Sequence, residues 1–407
     1  MTGPDRQRLL RHAFDRALRE IDPADRVRSA CAPILGAASV DVLAVGKAAC
    51  RMLAGLRLAL DDRIRRGLLV TTDGTRCDGL DHRFTLRRAG HPLPDSRSVA
   101  AANEAIDFAR SCRSELLVAL VSGGTSSLLS SPFDASIEDL RALSAALLAS
   151  GASIHEMNIL RRHLGRAHGG RLAAEAPVPT FSLVVSDVIG GEVHDVGSGP
   201  TVEDPTTSLD AARVLQAVLP PQQASFWMSR LRETPKPATL ARPCASFVVL
   251  RPQDLAISMA AQLEADGIRC RVDTILHATG DDLATRLVSE ARQLDRGHAC
   301  VVTCEPTMTL PADHGAGGRA GWVALSALCR LPEDTSLLAA ASDGVDGTSG
   351  AGGACVSAEQ ARDLDRTLVE RALRRRDDAT VHANLGTHLP GLPSGLNLSD
   401  VYVVLRA

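Results

Sequence analysis

The sequence predicts an α/β protein of two domains, each a mostly parallel sheet covered by helices. Three observations predict the fold class. Short, continuous apolar runs such as LVALV at 117–121 are the mark of strands buried on both faces. Amphipathic or alanine-rich helical stretches separate these runs. At 220–243 the texture changes, with PPQQ, TPKP and ARP clustered together, and the alternation then restarts. A chain of 407 residues has room for two domains. The boundaries predicted are 1–235 and 244–407.

Taken in order, the first twenty residues read as a charged amphipathic helix without the apolar core of a signal peptide. DVLAVG (41–46) is a strand, followed by a helix from Lys47 to about Leu60. GLLVTT (67–72) is a strand, 96–112 an alanine-rich helix and ELLVALVSG (115–123) a strand. Helices are expected over 136–150 and 155–174, and FSLVVSD (181–187) is again a strand. Within the proline-rich connection one short helical piece falls near 226–231. SFVVLR (246–251) then opens the second domain, followed by strands at 270–276, 299–305, 336–342 and 401–406.

Composition narrows the function. A net charge of −3 provides no basic field for nucleic acid, and 2% aromatics are too few for base-stacking platforms. No 18-residue uncharged apolar stretch exists to span a membrane. Ten scattered cysteines without a CxxC pair read as reduced thiols of a cytoplasmic protein. Only two of the 45 basic residues are lysines, Lys47 and Lys236. Lys236 lies in the proline-rich connection. Lys47 directly follows a buried strand, where a lysine among so many arginines implies a specific use.

In parallel sheets ligands sit beyond the carboxyl ends of the strands. Four unusual segments fall there: GKA after 41–46, SGGTSS after 115–121, SDVIGGEVHDVGSGPT after 181–185 and SDGVDG after 336–341. Each is readable as an ordinary turn, with glycine at positive φ and serine capping a helix. Together, their small hydroxyls and bare N–H groups suit a shared polyanion site, and phosphate above all. Lys47 would neutralise phosphoryl oxygens. Asp187, Asp343 and Asp346 are candidates for a metal or for orienting a hydroxyl, or else N-caps. His91, in AGHPLPD, either touches substrate or is held by backbone. GAGGRA (315–320) fits a dinucleotide fingerprint on paper but lies ten residues beyond its strand, and neither a Walker A motif nor a G-x-S-x-G elbow is present.

The ordered set VGKAA, GHPLPD, LVSGGTSSLL, NILRRHLGRAHGGRLA, SDVIGG…VGSGPTVEDPTT, GGR, SDGVDG and PSGLNLSDVYVVL resembles the glycerate 2-kinase family. Its C-terminal portion is called the MOFRL domain, and its members have often been labelled hydroxypyruvate reductases. The resemblance implies ATP-dependent phosphorylation of a small hydroxy acid, with Mg²⁺, and an active site in the cleft between the two domains. It assigns Lys47 and Arg319 as catalytic and places Asp187 in a matching motif; the mechanism expected from this has the two cations clamp the γ-phosphoryl group from opposite domains, with Asp187 orienting or deprotonating the acceptor hydroxyl. Ser122, Gly123, Gly124 and Ser126 match the anion loop, expected at a helix N-terminus, with Asn158 and His91 at the substrate. Asp343, Asp346 and Asn397 fall at the nucleotide or metal, the metal ligands themselves being undefined. A homodimer is compatible with a kinase of this size; nucleic acid and membrane are not expected partners.

The C-terminal half departs from the family pattern. TCEPTMT (303–309) keeps Glu305 and Thr307 where GGE-T-TV is usual. GGRAGWV replaces GGRNQE, Gly350 stands where an aspartate is expected, and GLPSGLNL (391–398) replaces TGPTGTNV, with Asn397 and Asp400 surviving. These changes bear on the acceptor first. They also leave open a non-catalytic or hydroxypyruvate-reductase-type protein with the same cleft.

Overall fold

The computed structural model describes residues 1–236, 242–392 and 394–407. The chain divides into two compact units. The N-terminal unit holds Pro23–Ser186 and Gly191–Leu250; the C-terminal unit holds Met1–Asp22, Asp187–Gly190 and Arg251–Ala407. Part of the expected connection, residues 237–241, lies outside the described residues.

The N-terminal unit is built on six strands: β1 (Val40–Val45), β2 (Ile64–Thr72), β3 (Phe84–Ala89), β4 (Leu116–Ser122), β5 (Thr180–Val185) and β6 (Cys244–Leu250). They lie in the order β3-β2-β1-β4-β5-β6, every pair parallel. From β1 the chain winds outward through β2 and β3, then returns to place β4 on the other side of β1. The β1/β4 pair is therefore the switch point of a doubly wound sheet, where the flanking loops diverge and leave a crevice. Residues 117–121 are at most 3% exposed, as a strand covered on both faces requires.

Three expectations are corrected here. Residues 246–250 do not open the second sheet but belong to β6, the edge of the first, in register with β5. Its alternating exposure fits an edge strand, and an apolar run alone does not say which sheet it joins. The helix expected over 155–174 is broken into Ile154–Leu164 and Arg171–Glu175: Gly165 turns extended at ψ 135° and ends the first, and Gly169 and Gly170 take positive φ just before the second begins. Cys50 and Cys77 are disulfide-bonded, with Cα atoms 5.3 Å apart, whereas all ten cysteines were read as thiols. A spacing of 27 residues carries no signature that sequence inspection registers.

The C-terminal unit carries β7 (Arg269–Thr274), β8 (His298–Cys304), β9 (Thr335–Ala341), β10 (Ala351–Ser357), β11 (His388–Pro390) and β12 (Asp400–Arg406), in the order β11-β10-β9-β12-β8-β7. β7 and β8 are parallel, while β12 runs antiparallel to both β8 and β9, and β10 antiparallel to β9 and β11. Four of the six strands thus share one direction. The chain's last strand is central, and its first residue, Asp400, pairs with Cys304 and Ala341 at the ends of β8 and β9. Among the described residues no helix is long and apolar enough to cross a membrane.

The first helix, Gly3–Glu20, groups with the C-terminal unit, while the sequence-based boundary had assigned it to 1–235. Its fully buried Arg6 donates to Ser336 Oγ (3.1 Å) and the Met1 carbonyl (2.8 Å) and pairs with Glu359. A buried guanidinium is stable only when its donors are met. Arg6→Ala is expected to lower the stability of this unit by about 2–3 kcal/mol, less than a fully buried pair because Glu359 reaches solvent. Urea unfolding followed by Trp322 fluorescence in a Trp227→Phe background measures it; an unshifted midpoint would contradict the anchoring role.

Candidate functional site

In the N-terminal unit the loops leaving β1 and β4 are stitched together at the switch point. Lys47 N–H donates to the Gly123 carbonyl (2.9 Å) and Ala48 N–H to Ser122 Oγ (3.0 Å). The approach is so close that a Cβ on Gly46, whose φ is +120°, would stand 2.1 Å from Ser122 Oγ. Thr125 Oγ1 reaches the carbonyls of Ser122 (2.7 Å) and Val45 (3.1 Å) and locks the turn. Gly124, at φ +90°, lies between two side chains: a Cβ there would meet His91 Cδ2 at 3.1 Å and Lys47 Cγ at 3.6 Å. Thus Lys47, His91 and the Ser122-Gly123-Gly124 turn share one small region.

The helix after this turn, Thr125–Leu128, is only four residues long. The anion site expected at a helix N-terminus therefore has no helix of useful length behind it, and side chains must supply the binding. Ser126 Oγ lies 2.8 Å from Ser198 Oγ, which in turn donates to Asn158 Oδ1 (3.3 Å). Ser198 is buried and sits at φ +58° between Gly197 (+58°) and Gly199 (+56°). A non-glycine residue in this region is strained, on the order of 1–3 kcal/mol, and surrounding structure must hold it there. Here the strain aims the hydroxyl at Ser126 and Asn158. Ser198 was not singled out from sequence, though the quoted VGSGPT motif contains it. His91, Ser122, Gly123, Gly124, Ser126 and Asn158 thus fall around Lys47 as one cradle.

In the C-terminal unit, Arg319 opens the helix Arg319–Leu328. Its Nη1 donates to Glu305 Oε1 (2.6 Å), and its Nε lies 3.4 Å from Asp400 Oδ2. Burial works against the guanidinium's charge, but Asp400 and Glu305 outweigh it and raise its pKa. Asp400 is itself buried, and its carboxyl is pushed up to about 8 against the pull of Arg319, with Asp346, Glu305 and Asp343 adding to the rise. Asp346 accepts from the backbone N–H groups of Ala320 (3.0 Å) and Gly321 (2.8 Å), so it caps the helix that bears Arg319. Asp343 accepts from Val345 N–H (3.0 Å). Asp187 belongs to this unit: Asn397 Nδ2 donates to its Oδ2 (3.2 Å) and Ser399 Oγ to its carbonyl (2.7 Å). The loops after β8 and β9 and before β12 therefore collect Glu305, Asp343, Asn397 and Asp400 at one end of the sheet.

The glycines of GAGGRA serve packing. A Cβ on Gly317 would meet Asp378 Oδ1 at 2.1 Å, and one on Gly318 would meet Asp346 Oδ1 at 2.1 Å. These glycines make room for two buried carboxyls, and the first-turn N–H groups that would bind a pyrophosphate are occupied by Asp346. Asp378 carries no motif, and sequence reasoning missed it.

The fold and these two clusters define an α/β protein with a glycine- and hydroxyl-rich turn beside a lysine in one unit and an arginine between the buried Asp400 and the exposed Glu305 in the other. The chain belongs to the glycerate 2-kinase family. Residues 9–225 match the family model described as "Domain of unknown function (DUF4147)", and residues 298–400 match the MOFRL family. A D-glycerate 2-kinase from Thermotoga maritima is 32% identical over 393 residues, covering 94% of each chain. A putative hydroxypyruvate reductase from Agrobacterium vitis is 31% identical, covering 98% of this chain and 94% of its own. The crystal structure of a glycerate kinase from Thermotoga maritima superposes with a TM-score of 0.86 at 28% identity, covering 99% of this chain and 100% of that one.

Asp378 yields a pH prediction. Burial, then Asp346, push its carboxyl up to about 8, and its Oδ1 has no hydrogen-bond partner among the described residues. An unfolded aspartate titrates near ~3.9. Between those values folding takes up a proton, so this group's contribution to stability falls as pH rises from about 4 to 8. Asp378→Asn is expected to fold, to show a shallower loss of Tm over that range and to exceed wild type at pH 8. A variant less stable at every pH with an unchanged slope would show instead an ionised, paired carboxylate.

Proposed function

We propose that the chain is an ATP-dependent kinase that phosphorylates a hydroxyl of a small hydroxy acid, with glycerate at its 2-position as the acceptor its relatives' names indicate. The observation that carries this reading is the cradle at the β1/β4 switch point. A scarce lysine and a glycine-hydroxyl turn are held together there by close backbone approach, in a family whose named members are glycerate kinases.

In this reading the cradle of Ser122, Gly123, Gly124 and Ser126, with Asn158 and His91, receives the acceptor. Lys47 and Arg319 place positive charge against the phosphoryl oxygens as charge develops. Asp187, its carboxylate oriented by Asn397, takes the proton of the attacking hydroxyl. The acceptor oxygen bonds to the γ-phosphorus as the bond to the β-phosphate bridging oxygen breaks, and ADP leaves. Mg²⁺ is held largely by phosphates and water, so one or two hard carboxylates suffice. That fits a unit in which, among the described residues, no group of three or more His, Cys, Asp or Glu converges for a metal. Asp343 is the carboxylate that would fill that role, since Asp187 takes the hydroxyl proton and Asp346 spends both oxygens on backbone N–H groups. When bound, the ion neutralises phosphate charge. A nicotinamide-dependent reductase finds less support, because the glycine run at 315–318 is filled by carboxyls.

Lys47→Ala is expected to lower kcat with ATP and D-glycerate by on the order of 10²–10³ while Tm is preserved. A coupled ADP assay across hydroxy acids and sugar acids measures it, with NADH absorbance as the reductase control. Near wild-type turnover in the variant would remove Lys47 from the mechanism.

A further inference from the structure

The helix Ile154–Leu164 places two arginines side by side in opposite electrostatic circumstances. Arg162 is fully buried and doubly paired: its Nε lies 2.9 Å from Asp204 Oδ1 and its Nη1 3.4 Å from Asp195 Oδ1. Those contacts make it a structural cation. Arg161 has no carboxylate within salt-bridge distance among the described residues. Its side-chain bond is to a neutral group, Nη1 donating to Asn158 Oδ1 at 3.3 Å. Partial burial pulls its pKa below the ordinary arginine value, and no counter-ion pulls the other way. An unmatched guanidinium removed from water is unfavourable unless an anion completes it.

Its neighbours show where such an anion would lie. Asn158 Oδ1 also accepts from Ser198 Oγ, which lies 2.8 Å from Ser126 Oγ in the SGGTSS turn. Asn158 Nδ2 donates to the Asp195 carbonyl (3.4 Å), which fixes the amide so that its oxygen faces Arg161 and Ser198. Guanidinium, amide and two hydroxyls thus form a continuous chain from Arg161 to the loop that follows β4. The other charged and titratable groups packed nearby are accounted for. Arg162 and Asp195 pair with each other. Burial keeps His194 low in pKa and drives fully buried His168 down to about 3, so neither supplies competing positive charge at neutral pH.

We propose that Arg161, positioned by Asn158 and Ser198, binds the carboxylate of the acceptor and so selects hydroxy acids over neutral alcohols. This rests on the kinase reading above.

The test compares wild type with Arg161→Gln, using D-glycerate and its neutral amide as acceptors. Loss of one charge-assisted contact pair is expected to raise the KM for D-glycerate about 10–100-fold, leave the KM for ATP unchanged and erase the preference for acid over amide. Without nucleotide, D-glycerate should raise the Tm of wild type but not of the variant. Should Arg161→Gln fail to fold, Asn158→Asp supplies an internal counter-ion and is expected to weaken D-glycerate in the same way. If wild type phosphorylates D-glycerate and both variants keep its KM, Arg161 is not the carboxylate site and the kinase reading stands. If wild type turns over no hydroxy acid, the kinase reading fails. The thermal shift then decides Arg161 separately: equal shifts in wild type and variant overturn its role, and loss of the shift supports it.

Discussion

The close contact between Gly46 and Ser122 is the constraint on which the N-terminal site depends. Two parallel strands that part company at a switch point normally leave their loops free to diverge. Here the backbone after β1 is pressed onto the serine that ends β4, and the absence of a single Cβ permits it. Once the loops are joined, the stem of Lys47 passes beside Gly124, which takes a left-handed conformation, and the small hydroxyls follow directly in the chain. Thr125 closes the arrangement from beneath.

The C-terminal unit solves a different problem. It keeps several carboxyls at one sheet end around Arg319. Burial would make that arrangement untenable if every group were ionised. The raised pKa values of Asp378 and Asp400 show the resolution, in which some of the acids carry a proton in the folded state. Burial pushes the Asp346 carboxyl up as well, against the pull of the two backbone N–H groups it accepts from, and Glu305 remains in contact with water. The antiparallel insertion of β12 makes this possible, since it brings Asp400 to the carboxyl ends of β8 and β9.

Much of this was legible in the sequence. Continuous apolar runs located most of the strands, and the rule that sites follow strand ends picked out GKA and SGGTSS. The missed strands lacked that pattern. β3 carries arginines on an exposed edge, β10 has glycines at its second and third positions, and β11 is only three residues long. The sheet to which β6 belongs was not legible either, because partnership is a long-range property. The same holds for the site. Lys47 drew notice through scarcity, whereas Ser198 and Arg161 lay inside quoted motifs without any local feature to mark them. Arg161 differs from Arg162 only in what surrounds it after folding.

The cap that Asp346 places on the helix of Arg319 ties distant stretches of sequence into one heritable block. The carboxylate needs bare backbone at 318, its companion at 378 needs it at 317 and 321, and the helix needs both N–H groups satisfied. A lineage that alters any one of these positions must alter the others to keep the arginine where it is. Ala320 and Trp322 stand in the same buried core, so the block extends through packing into the rest of the unit.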